Sequence, residues 1–190
     1  MLELLAVSLR PPERPGHLEA CLSEIGKRVE ADPGLRVLVD EAAGRMAGLS
    51  VEREYHRLFL GPRRPLAPPF ESVYADGVAF GPSAVRLLAE LREAGLEPSP
   101  GFRLPPDHVA VELEYLAHLV RRAEDAAASG DRDAEAEWRS RARGFSDGHL
   151  NRWLPQLLRR LASAAPGSPY ESLVRAAAKA ADVPVAEGSG

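Results

Sequence analysis

The chain has 190 residues, a net charge of −4 and a single cysteine. This length suits one domain whose core holds it together without disulfides or a metal, and the lone Cys21 agrees with a reducing compartment. No apolar run approaches the ~20 residues of a membrane span, Glu3 stands where a secretion signal carries basic residues, and the arginines form no unbroken stripe of the kind nucleic acid calls for. Together these predict a cytoplasmic protein with no nucleic-acid partner and no stable membrane insertion.

Apolar residues recur at helical spacing along nearly the whole chain. Met1–Leu9 predicts a short helix closed by Pro11 and Pro12. Gly16–Ala31 repeats Leu18, Leu22, Ile25 and Val29, and Asp32-Pro33-Gly34 reads as its break. Leu35–Met46 follows. Ser50 is an N-cap residue for a helix running to Phe59, with Tyr55, Leu58 and Phe59 on one face. Gly61 in a left-handed cap and Pro62 then stop it. Beyond them lies a proline-rich stretch that is not polar: Pro65, Pro68 and Pro69 alternate with Leu66, Ala67, Phe70, Val73 and Tyr74. A flexible linker is hydrophilic, so this composition predicts a stiff, partly buried segment forming one wall of a binding groove.

Ser83–Ala94 is the next helix, with Val85, Leu88 and Leu91 as its apolar face and Gly95 as its end. A second loop, Leu96–Pro106, precedes the longest helix, which starts at Pro106 or Asp107 and carries Val109, Leu113, Leu116, Val120 and Ala123. Gly130-Asp131 is a turn. The following helix, to about Asp147, mixes both signs of charge and reads as a solvated face. His149–Ala164 presents a thick apolar face that includes Trp153, Leu154, Leu157 and Leu161. Tyr170–Ala181 is the last helix, and Val183–Gly190 a frayed tail. No stretch alternates like a strand. The prediction is a single all-α domain of about eight helices over residues 1–182.

Phosphate loops, nucleophile elbows, Cys-x-x-Cys pairs and His-Glu-x-x-His are all missing, so a nucleophile, base and oxyanion hole cannot be assembled from the sequence. One polar cluster stands out: Asp107-His108, followed by Glu112, Glu114 and His118. His108 and Glu112 are four apart, as are Glu114 and His118, so each pair shares a helix face. Either this is a recognition spot in which Asp107 accepts and His108 donates, or Asp107 caps the helix while His108 pairs with Glu112. A metal site needs at least three converging ligands, and none is predicted. Trp153 reads as core, His56 as solvent-facing.

Four motifs in order, Y-x-R-L-F-x-G-P, A-P-P-x-E-S-V-Y, P-x-D-H-x-x-x-E-L-E-Y-L and H-L-x-x-W-L-P, cover roughly Ser50 to Leu158. In this combination the chain resembles the TorD/DmsD/NarJ family of cytoplasmic chaperones for molybdoenzymes, the redox enzyme maturation proteins. The resemblance implies an all-helical fold and no catalysis. It implies binding of the twin-arginine signal peptide of a molybdopterin-containing redox enzyme, and of its apoprotein, so that export waits for cofactor insertion. Weak guanine-nucleotide binding, and a monomer or domain-swapped dimer, are further implications of the family alone; no other cofactor is implied.

By position the family's signal-binding region maps onto Asp107, His108, Pro68, Pro69 and Phe70. A forked guanidinium pairs best with a carboxylate, which brings in Glu71, Asp76 and Glu112. The apolar run of the signal needs a groove, for which Phe59, Leu66, Pro69, Phe70, Val73 and Tyr74 are the candidates. Members of the family commonly carry Trp where this chain has Phe70. The alternatives are a helical adaptor or sensor domain without signal-peptide specificity, and a helical metal-dependent hydrolase using His108, Glu112 and His118.

Overall fold

In the computed structural model, residues 1–61, 65–97 and 103–182 are described. The predicted tail Val183–Gly190, and the parts of the two loops that hold Pro62 and Pro98, lie outside them. Among the described residues ten α-helices form: α1 Leu2–Ser8, α2 His17–Arg28, α3 Pro33–Gly44, α4 Val51–Tyr55, α5 Glu71–Ala75, α6 Pro82–Glu93, α7 Val109–Ser129, α8 Arg132–Gly148, α9 Leu150–Ala164 and α10 Pro169–Ala181. Among the described residues there is no strand, only one isolated bridge. The all-α architecture predicted from periodicity is the one observed.

The ends follow local chemistry. Ser50 is the N-cap of α4, accepting from the Arg53 N–H. Asp32-Pro33-Gly34 starts α3 rather than breaking α2: Asp32 accepts from the amides of Gly34 and Leu35, and Pro33 sits in the first turn, where a missing N–H costs nothing. After Tyr55 the helix widens into a π turn over His56–Leu60. Gly61 ends it at φ +43° with an extended ψ, not in the left-handed helical basin expected, and its N–H reaches back to the His56 carbonyl at 2.7 Å. α5 was not anticipated. With five residues it has too little periodicity to read, and it is held from outside, as described below.

The long helix α7 packs between α1 and α8, while α10 packs on α3 and α9. Leu113 and Leu116 of α7, Trp153, Leu154 and Leu157 of α9, and Leu173 and Val174 of α10 are all buried in one core. Each such side chain contributes about 1.5–3 kcal/mol of burial. Tyr55, Phe59 and Tyr170 meet edge to face with centroids 4.9, 5.1 and 5.6 Å apart, locking the end of α4 to α10. On α6 the expected face is rotated. Leu87 is buried, Leu88 and Leu91 are half-buried, and Val85 is exposed. Val85 lies in the second turn, and the side it was assigned to is not the one that meets α5.

Candidate functional site

The proline-rich stretch is pinned at both ends. The Ala67 N–H donates to the Leu58 carbonyl at 2.8 Å, tying the loop to the π turn. Phe70 then pairs with His108 in an antiparallel bridge: the Glu71 N–H donates to the Asp107 carbonyl and the Val109 N–H to the Pro69 carbonyl, both at 2.9 Å. Two segments distant in sequence are thus joined where each turns into a helix.

Side chains complete the joint. Phe70 stands at the N-cap of α5 and has no acceptor to offer the free amides there. Asp107 supplies one from across the bridge. Its Oδ2 accepts from the Ser72 N–H at 3.1 Å and from the Ser72 hydroxyl at 2.5 Å. His108 is the N-cap of α7, its Nδ1 accepting from the Ala110 N–H at 3.1 Å. That acceptor role requires a neutral imidazole. Burial, with the charge of Arg10 added, lowers the His108 pKa to about 3. The ring of His108 meets Phe70 edge-on at 5.4 Å. So α7 begins at Val109, later than expected, and Asp107 caps α5 instead. His108 bonds the backbone rather than Glu112.

Behind this joint lies a second polar group. Glu112, wholly buried, accepts from the Trp153 indole N–H at 3.0 Å. Burial, then the negative charge of Glu71, push its pKa well above the usual carboxylate range, which favours the neutral acid. His149 was not assigned a role by sequence. Its Nδ1 lies 2.8 Å from Glu71 and its Nε2 3.3 Å from Glu90. Burial opposes charge on this ring, but the two carboxylates outweigh it and raise its pKa to about 10. His149 is therefore an imidazolium clamped between α5 and α6, stacked on Phe145 at 4.8 Å.

The structure brings Pro69, Phe70, Glu71, Asp107 and His108 together at one joint. It does not turn them all outward. Pro68, Pro69, Glu71, Asp107, His108 and Glu112 are buried, so Asp107 and Glu112 meet no incoming guanidinium in this conformation. Phe59 belongs to the core, because the π turn directs it at Tyr170, and it lines no surface groove. Phe70 and Tyr74 are half-buried and Leu66 is exposed. Leu66, Val73 and Tyr74 face α9 across a hollow of about 490 Å³ that includes Arg159 and Arg160.

An apolar groove does exist close by, between α6 and α7. Its volume is about 360 Å³, its walls include Leu88, Leu91, Leu104, Val111 and Tyr115, and Glu97 and Glu114 stand in it. Glu114 pairs with Arg10. The outward half of the Leu88/Leu91 periodicity was the available signal for this groove. Among the described residues no three His, Cys, Asp or Glu side chains converge to hold a metal ion, and no helix is long and apolar enough to cross a membrane. Each of the polar residues Asp107, His108, Glu112 and His149 is hydrogen-bonded to backbone or to another side chain.

The family model described as nitrate reductase delta subunit matches residues 29–159. The chain belongs to that family. A chaperone protein TorD of Vibrio cholerae serotype O1 is 32% identical over 115 residues, which cover 60% of this chain and 51% of the relative. TorD of Shewanella pealeana is 27% identical over 165 residues, 80% of this chain and 68% of the relative. A selenate reductase assembly chaperone of Thauera selenatis is 52% identical over 56 residues, 30% of this chain and 28% of its own. The chain thus spans about half the length of the Vibrio relative. A crystal structure from Archaeoglobus fulgidus, of a protein assigned to redox enzyme maturation, superposes with a TM-score of 0.58 at 19% identity, covering 94% of this chain and 90% of that one. At that identity it is the family's fold that is shared.

Proposed function

We propose that this protein is a chaperone for a molybdopterin-containing redox enzyme, that it works in the cytoplasm without catalysing a reaction, and that it binds the enzyme's twin-arginine signal peptide. Family membership supports the general role, and the relatives named above are chaperones of this class. The observation that carries the specific reading is the groove between α6 and α7. It offers leucine walls for the apolar run of the signal, with the carboxylates of Glu97 and Glu114 beside them for the guanidinium groups. Glu114, already engaged by Arg10, is positioned to exchange one arginine for another.

In this reading Asp107 and His108 act as positioning residues. They fix the Phe70 ledge and the first turn of α7, which forms one wall of the groove, while Phe70, with exposed Phe80 at 6.5 Å, offers aromatic surface alongside. The apoprotein is a further partner. A guanine nucleotide, implied by the family resemblance, would be an additional ligand.

Fluorescence anisotropy with a labelled synthetic twin-arginine peptide tests the reading. The Arg-Arg peptide is expected to bind at low salt and the Lys-Lys counterpart more weakly, because ammonium lacks the forked geometry. Leu91→Asp is expected to weaken binding by about tenfold or more, the cost of placing a charge in an apolar groove, and Phe70→Ala by a smaller factor. Equal affinity for both peptides, or full affinity in both variants, overturns the assignment.

A further inference from the structure

The arginines of α9 differ from those that line up with acids on several other helices. On α2, α3, α8 and α10, arginines such as Arg28, Arg36, Arg139 and Arg175 are matched by a carboxylate four residues away. Helix α9, Leu150–Ala164, carries Arg152, Arg159 and Arg160 and no acid at all. Arg152 and Arg159 make no ion pair with another described residue, and Arg160 rests over the Tyr74 ring at 4.8 Å. In a chain with a net charge of −4, this is a local basic face.

Two hollows open along it. One, of about 490 Å³, holds Arg159 and Arg160 beside the apolar Leu66 and Val73. The other, of about 410 Å³, holds Arg152 and Arg86 beside His149. Gln156 borders both. Among the described residues the only acid lining either hollow is Glu71, which is committed to His149, as is the neighbouring Glu90. Arg86 donates to the Ser83 hydroxyl. Seven residues separate Arg152 from Arg159, a rise of about 10 Å along the helix.

We infer that this face docks an acidic, partly apolar segment of a partner polypeptide. The charge is complementary and the guanidinium groups there are not matched by acids of their own. The spacing decides against a compact anion, since one phosphate reaches one hollow. An extended chain advances about 3.3 Å per residue with alternate side chains on opposite sides, so carboxylates four residues apart share a side and, with the reach of the arginine side chains, meet both. Leu66, Val73 and the rim of Tyr74 receive an apolar side chain lying between them. This surface is separate from the groove between α6 and α7 and takes the opposite charge, so the inference does not depend on the signal-peptide reading.

A labelled peptide repeating Glu-Ser-Leu-Ser, which puts glutamates four residues apart with a leucine between them on one side, its lysine counterpart, and inorganic pyrophosphate as competitor test it on the full chain. The acidic peptide is expected to bind with an affinity that falls as salt screens the contact. Arg159→Glu/Arg160→Glu is expected to weaken it by at least about tenfold, and Arg152→Glu alone by a few-fold. A charge-matched control, Arg28→Glu/Arg36→Glu, is expected to stay within about twofold, as for rim charges that act only at long range. Thermal unfolding of each variant reports that it is folded. An equal loss in the control, absence of acidic-peptide binding, or full displacement by pyrophosphate at equimolar concentration overturns the proposal. Binding of a twin-arginine peptide is expected to survive Arg159→Glu/Arg160→Glu, so the two readings fail separately.

Discussion

The joint at Asp107-His108 and the outer face of α8 contain the same kinds of residue and use them in opposite ways. On α8, Arg139 with Glu135 and Arg141 with Glu137 lie along a solvated face, four residues apart. Each pair gains little over the water it replaces. At the joint, Asp107, Glu112, Glu71 and His149 come from the starts of three helices, α7, α5 and α9, and are buried or nearly so. There each lost partner leaves a desolvated group behind. A sequence shows both as charge at helical spacing; only the fold determines which one the structure depends on.

Four substitutions test that contrast, in falling order of effect. Asp107→Ala removes both bonds to Ser72 and the outside cap of α5; we expect a loss of about 3 kcal/mol, read as a fall of roughly 6–12 °C in Tm by circular dichroism. A change below about 2 °C would place the joint with the α8 surface. His149→Gln comes next, through pH. The His149 pKa is raised in the folded protein to about 10, so its contribution is complete below the ordinary value of about 6.5 and is lost as pH rises from there toward 10. Wild-type Tm is expected to fall over that window and the variant to lose much of the decline.

Glu112→Gln sharpens the same test with a smaller effect. Because folding raises the Glu112 pKa, the folded state holds a proton that the unfolded chain releases above about 4.5, and stability declines as pH rises. The amide carries no such proton. It is expected to match wild type at low pH and to gain on it by a few degrees near pH 8, with the Trp153 bond retained. A constant offset at every pH would contradict a neutral Glu112. Last, Glu137→Ala on α8 is expected to move Tm by less than about 2 °C.

Most of the fold was legible because helical periodicity and caps are local. Ser50, Gly130 and the apolar face of α9 could be read within a few residues of themselves. The joint was legible only as a set of motifs: Asp107 and His108 were singled out with Phe70 and Glu71, but their contacts with Ser72 and Ala110 depend on a bridge spanning 38 residues, from Phe70 to His108. His149 escaped notice because its partners, Glu71 and Glu90, lie on other helices. Phe59 was misplaced for a related reason. Tyr55, Leu58 and Phe59 are buried together as their spacing predicts, but the side chain that closes over Phe59, Tyr170, lies on the last helix.

The bridge between Phe70 and His108 has one more consequence. It ties the neck of an excursion that holds α5 and α6; among the described residues α6 packs chiefly on α5 and reaches the main core through Leu87. Such an excursion is able to open as one unit while the core stays closed. Amide hydrogen exchange is expected to be faster in α6 than in α7 by orders of magnitude, with the amides of Glu71 and Val109 marking the boundary. A partner seated between α6 and α7 would slow exchange on α6 most, which makes that helix a readout of occupancy requiring no label on either molecule.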